Sequence, residues 1–343
     1  MREQRVLVSL VTLNDERFLA SCLEALGRQT VRCTLRIHDN ASTDQTAEIA
    51  RGYGVDVRLN ATNSGYAAGH NLNLEARGFD YALLLNADVK LEPDYIEHLL
   101  AEMECRREVG MAGGKLLRMD AQGGKTLHEG VAVLDSAGIY FTPSQRHFDR
   151  GGGIPDRGQY DLAQFVFGVT GAAVLVRRSL VDDLEERTGE FLDEDFFAYR
   201  EDAELAWRAQ IAGWKALYVP GAVAGHHRHV LPARRRNLNP LINYHSVKNR
   251  YLMRMKNMGP AVRRRCFPFA WIRDLGILVY VLLFEWSSIP ALREAFRARH
   301  RFRAKRARLE SSRRVSDADI SRWFSFTPQA RCLHNGTGGG GGN

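Results

Sequence analysis

Residues 81–89 read YALLLNADV and decide how the rest of the chain is interpreted. An apolar run ends abruptly in Asn86, Ala87 and Asp88. So short a run is typical of a strand buried on both faces, as in a parallel sheet. Ligands of open α/β sheets bind beyond the carboxyl ends of the strands, so Asp88 stands where a ligand-facing carboxylate is expected. A divalent cation that bridges to a phosphate would suit it, although an Asx turn that merely ends the strand explains the same residues.

Strand and helix patterns alternate around this stretch, which is the signature of a parallel α/β sheet. Apolar runs predict strands at 6–11, 34–38, 55–59, 81–85, 109–117, 165–176 and 215–219. Helical spacing predicts helices at 14–27, 43–51, about 70–76, 93–106, 179–186 and 200–212. Residues 120–160 are rich in glycine and show little periodicity, so no regular element is predicted there.

Composition describes a globular protein with an uneven charge distribution. The chain has 343 residues, a formal charge of +8 and 26% charged residues, which favours two domains or one large domain with an appendage. Between Arg228 and Arg314 there are 22 Lys and Arg residues and only four Asp and Glu residues. The remainder is therefore acidic to neutral, and the positive charge belongs to the C-terminal part.

The C-terminal part is predicted to be helical and basic. Amphipathic patterns cover 243–258, 267–286 and 291–311, and the sequence ends in GTGGGGGN, a flexible-linker composition. The longest uninterrupted apolar stretch there, 276–284, is much shorter than the roughly 20 residues needed to span a bilayer. We therefore predict no membrane span.

Cysteine usage and the N-terminus favour a cytoplasmic protein. The five cysteines are scattered and form no CxxC pair, which argues against a disulfide framework or a zinc knuckle and fits a reducing compartment. The apolar run at 6–13 is followed at once by Asn14 and lacks a cleavage-site pattern, so it predicts a first strand and not a signal peptide.

Residues 39–44, DNASTD, follow the second predicted strand. The Asp39 carboxylate could accept the imide N–H of a pyrimidine base, while the short hydroxyls and Asp44 suit a turn that caps the next helix. An N-cap loop that binds no ligand explains the same residues.

Residues 63–71, NSGYAAGHN, form a glycine-punctuated approach to a helix. Backbone N–H groups at a helix N-terminus suit a diphosphate. The spacing differs from a nucleotide-hydrolysing P-loop, and a tight loop that needs glycines only for its geometry is the alternative.

Residues 201–204, EDAE, open a predicted helix. Carboxylates at a helix start are favoured by the helix dipole alone, but they also suit a general base held on a rigid element. Residues 226–229, HHRH, follow the last predicted strand. One histidine could complete a metal shell with Asp88, whereas His227 and His229 are predicted to lie at the surface or contact phosphate.

Six segments in order resemble the family 2 glycosyltransferases of the GT-A fold. They are DNASTD, NSGYAAGHN, LLLNAD, GVTGAAVLVRR, FLDEDFFAYREDAELAWRAQIAGW and PGAVAGHH. The resemblance covers about 5–229 and is greatest to the bacterial rhamnosyltransferase-like branch that builds cell-surface polysaccharides. Residues 244–250, with Lys248, Asn249 and Arg250, are similar to that branch's C-terminal helical extension.

The resemblance implies an α/β GT-A fold, with a mostly parallel central sheet flanked by helices and a basic amphipathic helical extension. The implied domains are a GT-A domain at 1–230, a helical region at 231–331 and a flexible tail at 332–343. The nucleotide-sugar half would cover about 1–118 and the acceptor half about 119–230. The implied activity is metal-dependent transfer, with inversion, of a hexose from a nucleotide diphosphate to a hydroxyl group.

Roles follow residue by residue from the same resemblance. Donor binding falls to Thr12, Asn14, Asp39, Asn40, Gly65, Gly69, Asn71, Asn86, Ala87 and Asp88. Acceptor binding falls to Gly171 and Ala172. Asp202 corresponds to the catalytic base, with Glu201 beside it, and a Mg²⁺ or Mn²⁺ ion would be held by Asp88 and His226. Asn86 departs from the first aspartate of the family's DxD element.

The resemblance also suggests partners. The donor would be dTDP-rhamnose, with a galactofuranose, glucose or GlcNAc nucleotide as alternatives, and the acceptor a polysaccharide or a lipid-linked glycan. Arginines near Trp271, Phe284 and Trp286 suit the inner face of an anionic membrane, although a core helix with a solvated basic face explains them as well. A nucleic-acid-binding protein is the alternative of another class, supported by charge alone because no recognition motif is found.

Overall fold

The computed structural model describes residues 5–120, 122–228 and 240–333. Its strands are β1 Val6–Thr12, β2 Cys33–Asp39, β3 Val57–Leu59, β4 Tyr81–Leu85, β5 Val89–Leu91, β6 Val109–Arg118, β7 Leu127–His128, β8 Val131–Ala132, β9 Leu134–Ser136, β10 Ile139–Phe141, β11 His147–Asp149, β12 Gln164–Val166, β13 Ala173–Arg177, β14 Lys215–His226 and β15 Arg331–Cys332. Its helices are α1 Leu19–Gly27, α2 Thr46–Gly52, α3 Tyr66–Leu74, α4 Tyr95–Glu104, α5 Arg178–Thr188, α6 Glu201–Ile211, α7 Pro240–Asn257, α8 Pro260–Phe284, α9 Ile289–Arg297, α10 Arg299–Ser311 and α11 Asp317–Ser321.

A central sheet runs in the order β15-β12-β14-β6-β13-β4-β1-β2-β3. Strands β1 to β4 are parallel to one another, and β13 lies antiparallel between β4 and β6. Side chains of β4 alternate between two cores: Ala82 and Leu84 pack on one side, and Tyr81, Leu83 and Leu85 on the other. This is the two-face burial that the apolar run predicts. The predicted α/β class with a mostly parallel central sheet is confirmed.

Several strands begin or end at residues other than those predicted, because they pair with strands that are distant in sequence. The run 165–176 is two strands, β12 and β13, which pair with different neighbours. The strand predicted at 215–219 is instead β14, which continues to His226, where β5 pairs with its last residues. Helix α3 starts at Tyr66, earlier than predicted, and the helix expected at 291–311 divides at Ala298 into α9 and α10.

The C-terminal helices share a core with the sheet domain. Leu252 of α7, Cys266 of α8 and Phe302 of α10 lie in one hydrophobic cluster with residues of β4 and α6, and β15 pairs with β12 at the sheet edge. The domain boundary predicted near 230 falls outside the described residues and stays a prediction. The predicted tail, 332–343, begins inside β15, and 334–343 also lies outside the described part.

Helix α8 contradicts the prediction that no stretch could span a membrane. It is the one helix among the described residues that is long enough and apolar enough to do so. The apolar stretch considered in the sequence is bounded by Arg273 and Asp274, but both residues are half-buried in the structure. Asp274 accepts hydrogen bonds from Arg250 (3.0 Å) and Arg254 (2.5 Å) of α7. The Asp274 carboxylate therefore faces α7. From Phe267 to Phe284 no exposed residue is charged or polar.

Candidate functional site

The carboxyl ends of β1 and β2 bring Thr12, Asn14 and Asp39 together. Thr12 Oγ1 donates to Asp39 Oδ2 (3.0 Å), and Ser42 donates its backbone N–H and its hydroxyl to the same carboxylate (2.9 and 2.6 Å). Asn14 Oδ1 accepts the N–H of Thr43 at 2.8 Å. Parallel strands end at the same sheet edge, so side chains distant in sequence meet there. Asp39 is held rigidly, and its role at a nucleotide base stays a prediction.

The other predicted donor residues around α3 make structural contacts. Asn40 Oδ1 accepts from Ser64, while its amide donates to the carbonyl of Gly65 (3.0 Å). Gly69 lets α3 pack closely on the sheet, because a Cβ there would lie 2.8 Å from Val11. Asn71 exchanges hydrogen bonds with the backbone of Leu192. These residues shape the loop and α3, and their direct contact with a donor is still a prediction.

Gly65 is required by backbone geometry. Its φ of +89° is a conformation that side chains rarely adopt, and an added Cβ would lie 2.6 Å from the carbonyl oxygen of Phe197. The loop before α3 thus touches the segment that leads into α6.

Asp88 and His226 meet beyond the end of β4. The backbone N–H of Asn86 donates to the carbonyl of Ala172 at 2.9 Å, which fixes the start of the Asn86-Ala87-Asp88 turn. His226 Nε2 lies 3.5 Å from Asp88 Oδ1, and His226 Nδ1 lies 2.6 Å from Asp135 Oδ2. Burial lowers the pKa of His226, but its hydrogen bonds to Asp135 and Asp88 outweigh that effect and raise the pKa to about 9.

The donor set fits one divalent cation that shares its shell with substrate. Among residues 5–120, 122–228 and 240–333, no three His, Cys, Asp or Glu side chains converge on a point. Mg²⁺ and Mn²⁺ commonly take one or two protein carboxylates and complete their shell with phosphate oxygens and water. Negative charge also accumulates here: burial, followed by the charges of Asp88, Asp44 and Asp39, raises the pKa of Asp15 to about 6. A cation would relieve that repulsion.

Asp135 is a residue that sequence reasoning missed. It is fully buried in β9, and besides His226 it contacts Arg228, whose Nε lies 3.0 Å from Asp135 Oδ1. A carboxylate behind a histidine fixes the ring orientation and tautomer of a metal-binding imidazole. Arg228 also pairs with Asp149 at 2.6 Å. No signal marked Asp135 in the sequence, because it lies in the stretch without periodicity.

Asp202 and Glu201 occupy the first turn of α6. Asp202 Oδ2 accepts the N–H of Gly171 (3.2 Å), and Tyr66 donates its hydroxyl to the Gly171 carbonyl (2.8 Å). Burial raises the pKa of Asp202, against the hydrogen bond from Gly171 that lowers it. Burial and then the neighbouring Asp202 raise the pKa of Glu201 to about 8. A raised pKa increases the proton affinity of a carboxylate, which is the direction that favours a general base.

The segment before α6 has an unusual backbone. Phe197, Tyr199 and Arg200 all have positive φ, at 64°, 68° and 74°. Such conformations are costly for residues other than glycine and persist only where neighbouring groups hold them. Asn249 of α7 supplies that restraint, because its amide donates to the carbonyls of Phe196 (2.8 Å), Ala198 (2.9 Å) and Tyr199 (2.7 Å). The sequence had marked Asn249 only as part of a similar extension, without a role.

One cavity of about 660 Å³ joins these groups. Asp88 and His226 line it, Asp202 and Glu201 line it from α6, and Gly171 and Ala172 lie on its wall. Residues of α7 and Arg273 of α8 also line it, so the C-terminal helices form part of the site. The cavity can therefore hold a ligand that touches the Asp88–His226 pair and the start of α6 together. Thr12, Asn14, Asp39, Asn40, Gly65, Gly69 and Asn71 lie outside its lining.

A sheet of this order, with a turn of the Asn86-Ala87-Asp88 kind at its centre, defines the GT-A class of glycosyltransferase folds. The profile of the family described as glycosyl transferase family 2 matches residues 8–184. That match spans more than half of the chain, which therefore belongs to this family. A search of curated proteins found no match to the sequence.

Solved structures share this fold at low identity. TarS 1–349 of S. aureus in complex with UDP-GlcNAc is 15% identical, with a TM-score of 0.54, and the match covers 93% of this chain and 91% of that one. The mannosyltransferase PcManGT from Pyrobaculum calidifontis, in complex with GDP-Man and Mn²⁺, is 15% identical, with a TM-score of 0.50 and coverage of 93% and 87%.

GalNAc-T7 with UDP, GalNAc and Mn²⁺ is 15% identical, with a TM-score of 0.56 over 73% of this chain. This chain spans about half the length of that structure, 47%. At these identities the likeness shows the fold alone.

Proposed function

We propose that this protein transfers a sugar from a nucleotide diphosphate to a hydroxyl group of a glycan acceptor, with inversion at the anomeric carbon. The observation that carries the proposal is the shared cavity, where the Asp88–His226 pair and the start of α6 face one ligand-sized space. A site for a leaving diphosphate and a base for an acceptor hydroxyl are the two parts that a single displacement needs.

In the proposed reaction, Asp202 removes the proton of the acceptor hydroxyl as its oxygen attacks the anomeric carbon. The bond from that carbon to the diphosphate oxygen breaks, and the electron pair leaves with the diphosphate. Asp88 and His226 would hold a Mg²⁺ or Mn²⁺ ion, which when bound supplies positive charge to the leaving diphosphate. Asp135 keeps His226 oriented, and the Gly171 N–H keeps Asp202 pointed into the cavity.

The donor is proposed to be dTDP-rhamnose, on the resemblance to the rhamnosyltransferase-like branch. Nucleotides carrying galactofuranose, glucose or GlcNAc are the alternatives, and of the structures that share the fold one was solved with UDP-GlcNAc and another with GDP-Man. The acceptor is proposed to be a cell-surface polysaccharide or its lipid-linked precursor, reached at the inner face of the cell membrane.

The test is a donor-binding and transfer assay with two variants. Nucleotide sugars with dTDP, UDP and GDP are titrated by calorimetry with and without Mn²⁺ or Mg²⁺. We expect Asp88→Ala to lower metal-dependent donor affinity about tenfold or more, because a ligand of the ion is lost. We expect Asp202→Asn to keep donor affinity but to lower transfer by about 10²–10⁴, the usual contribution of a general base.

The matched control is Asp56→Asn, which neutralises an exposed carboxylate outside the cavity. It should bind donor and transfer sugar as the wild type does. Near-full transfer by Asp202→Asn would refute the assignment of the base, and absence of binding to every nucleotide sugar would refute the proposed function as a whole.

A further inference from the structure

A second cavity, of about 520 Å³, lies along α8. We call it the α8 groove. Its lining is almost entirely apolar side chains of α8, faced by Phe326 from the segment after α11. Its lining includes Phe269, Ile272, Arg273, Gly276, Tyr280 and Phe326.

Arg273 joins the α8 groove to the catalytic cavity, because its side chain lines both. It is the one cation that lines the groove within the described part of the chain. Moving from the groove into the cavity, a ligand would meet apolar side chains, then a guanidinium group, then the start of α6. An alkyl chain esterified to a phosphate and continued by a sugar has the same order of chemistry, since guanidinium groups pair well with phosphate.

The outer side of the groove continues into an apolar surface. Ile272 is 62% exposed and Phe269 44% exposed, and the uncharged exposed side of α8 extends on from them. A contiguous apolar surface of this length on a water-exposed helix marks an interaction site. A chain leaving the groove would therefore stay in apolar surroundings if this side of α8 faced lipid.

We propose that the α8 groove holds the hydrocarbon chain of a lipid phosphate that carries the acceptor sugar. The guanidinium of Arg273 contacts the phosphate, and the sugar beyond it reaches Asp202. This inference rests on the proposed function and narrows the acceptor from any glycan to a lipid-linked one. The positive charge between groove and cavity favours this occupant over a second copy of the chain, which would bring apolar surface without an anion to that point.

The test uses decyl phosphate below its micellar concentration, with decanol and inorganic phosphate as comparison ligands. We expect decyl phosphate to bind more tightly than either one, because it alone satisfies both the groove and Arg273. Arg273→Gln should remove the preference for decyl phosphate over decanol.

Gly276→Trp fills the groove. A Cβ added at Gly276 meets nothing within 4 Å, so a side chain can enter the groove without displacing its neighbours. It should weaken decyl phosphate binding about tenfold or more, a loss of roughly 1.4 kcal/mol or greater. The matched control is Leu278→Trp on the same helix, at a residue 44% exposed and outside the lining, which should bind as the wild type does.

A second variant keeps the proposal testable if Gly276→Trp does not fold. Ile272→Asp places a negative charge at an exposed lining position and should repel the phosphate while the thermal transition stays unchanged. Equal binding by the wild type and by both groove variants would overturn the proposal, as would equal affinity for decanol and decyl phosphate. A wild-type dimer in sedimentation that Gly276→Trp dissociates, and decyl phosphate does not, would assign the groove to a second copy instead.

Donor binding separates this proposal from the one it rests on. Wild-type protein that binds a nucleotide sugar with Mn²⁺ but no decyl phosphate refutes the groove assignment alone. Protein that binds decyl phosphate but no nucleotide sugar refutes the proposed glycosyltransferase function.

Discussion

Asp202 is held where its proton affinity is high. Burial raises its pKa above the ordinary 3.8 of an aspartate, and the hydrogen bonds from Gly171 and Ala203 only partly oppose that rise. A base must be deprotonated to accept a proton, so a raised pKa leaves less of the active form at low pH. The same carboxylate on an exposed helix start would be ionised throughout the physiological range.

We therefore expect the transfer rate to rise with pH and to reach its plateau at a higher pH than an aspartate with the ordinary pKa of 3.8 would give. The measurement is kcat between pH 5 and pH 9, at saturating donor and metal. Glu201, whose pKa is raised to about 8, is largely protonated at pH 7, so Glu201→Gln should reduce the rate less than Asp202→Asn does. A rate that stays flat from pH 5 to pH 8 would contradict the assignment of a raised pKa to the base.

The positions of single residues were predictable where they follow from local sequence. Asp88 ends a strand and Asp202 begins a helix, and both positions can be read from the residues around them. Asp135 could not be found in this way, because it reaches His226 across 91 positions through tertiary packing. Gly69 and Asn71 make contacts that position α3, and their predicted contact with the donor stays a prediction.

At the scale of elements, α7 lines part of the cavity and also holds the segment that leads into α6. Its three consecutive residues Lys248, Asn249 and Arg250 all donate to backbone carbonyls, at Asp195, at 196–199 and at 144–145 respectively. These bonds fix the loop before α6 and the turn before β11, and so the two walls of the cavity that come from different parts of the chain.

We expect Asn249→Ala to lower kcat about tenfold to a hundredfold, because three carbonyls of the segment with positive φ lose the amide group that they share, and the segment relaxes. Donor affinity, measured by calorimetry, should stay within about twofold, since the Asp88–His226 pair is not touched. The matched comparison is Gln159→Ala, which removes an exposed amide that donates to the Pro155 carbonyl outside the cavity and should leave kcat unchanged. A fall in donor affinity equal to the fall in kcat would indicate general unfolding and contradict a positioning role.

Elements were predictable when their period was unbroken. The bounds predicted for β4, 81–85, match the structure, because all five residues are buried and face the two cores. A helix was predicted at 267–286, but the length of apolar surface on α8 was missed because Arg273 and Asp274 interrupt the apolar pattern. Only the partners of Asp274 on α7, which the sequence does not reveal, show that its carboxylate faces inward; Arg273 is half-buried as well, so the exposed side of α8 is apolar.

For the whole molecule, the C-terminal helices are attached to the sheet domain by buried charge. Lys256 Nζ lies 2.5 Å from Asp193 and 3.1 Å from Glu204, and Lys305 pairs with Asp193 at 2.6 Å. Part of the positive charge that sequence analysis assigned to an external partner is therefore neutralised inside the protein. The arginines at 263–265 stay exposed, at the start of α8.

We expect the protein to float with vesicles that contain anionic lipid and to float less with neutral ones, because the apolar side of α8 begins beside exposed arginines. Trp271→Glu should reduce flotation about tenfold, since it places a charge on that surface. Leu162→Glu makes the same kind of change at a residue 74% exposed outside α8 and should have no effect. Absence of flotation at low salt would contradict the proposed membrane surface.

The position of β13 has a consequence for the newly made chain. It separates β4 from β6 in the sheet although it follows both in sequence. While the ribosome has delivered only the first 118 residues, the facing edges of β4 and β6 have no strand to join them. The nascent protein must keep those edges from pairing with other chains until residues 173–177 emerge, so the protein's exposure to aggregation is greatest midway through synthesis.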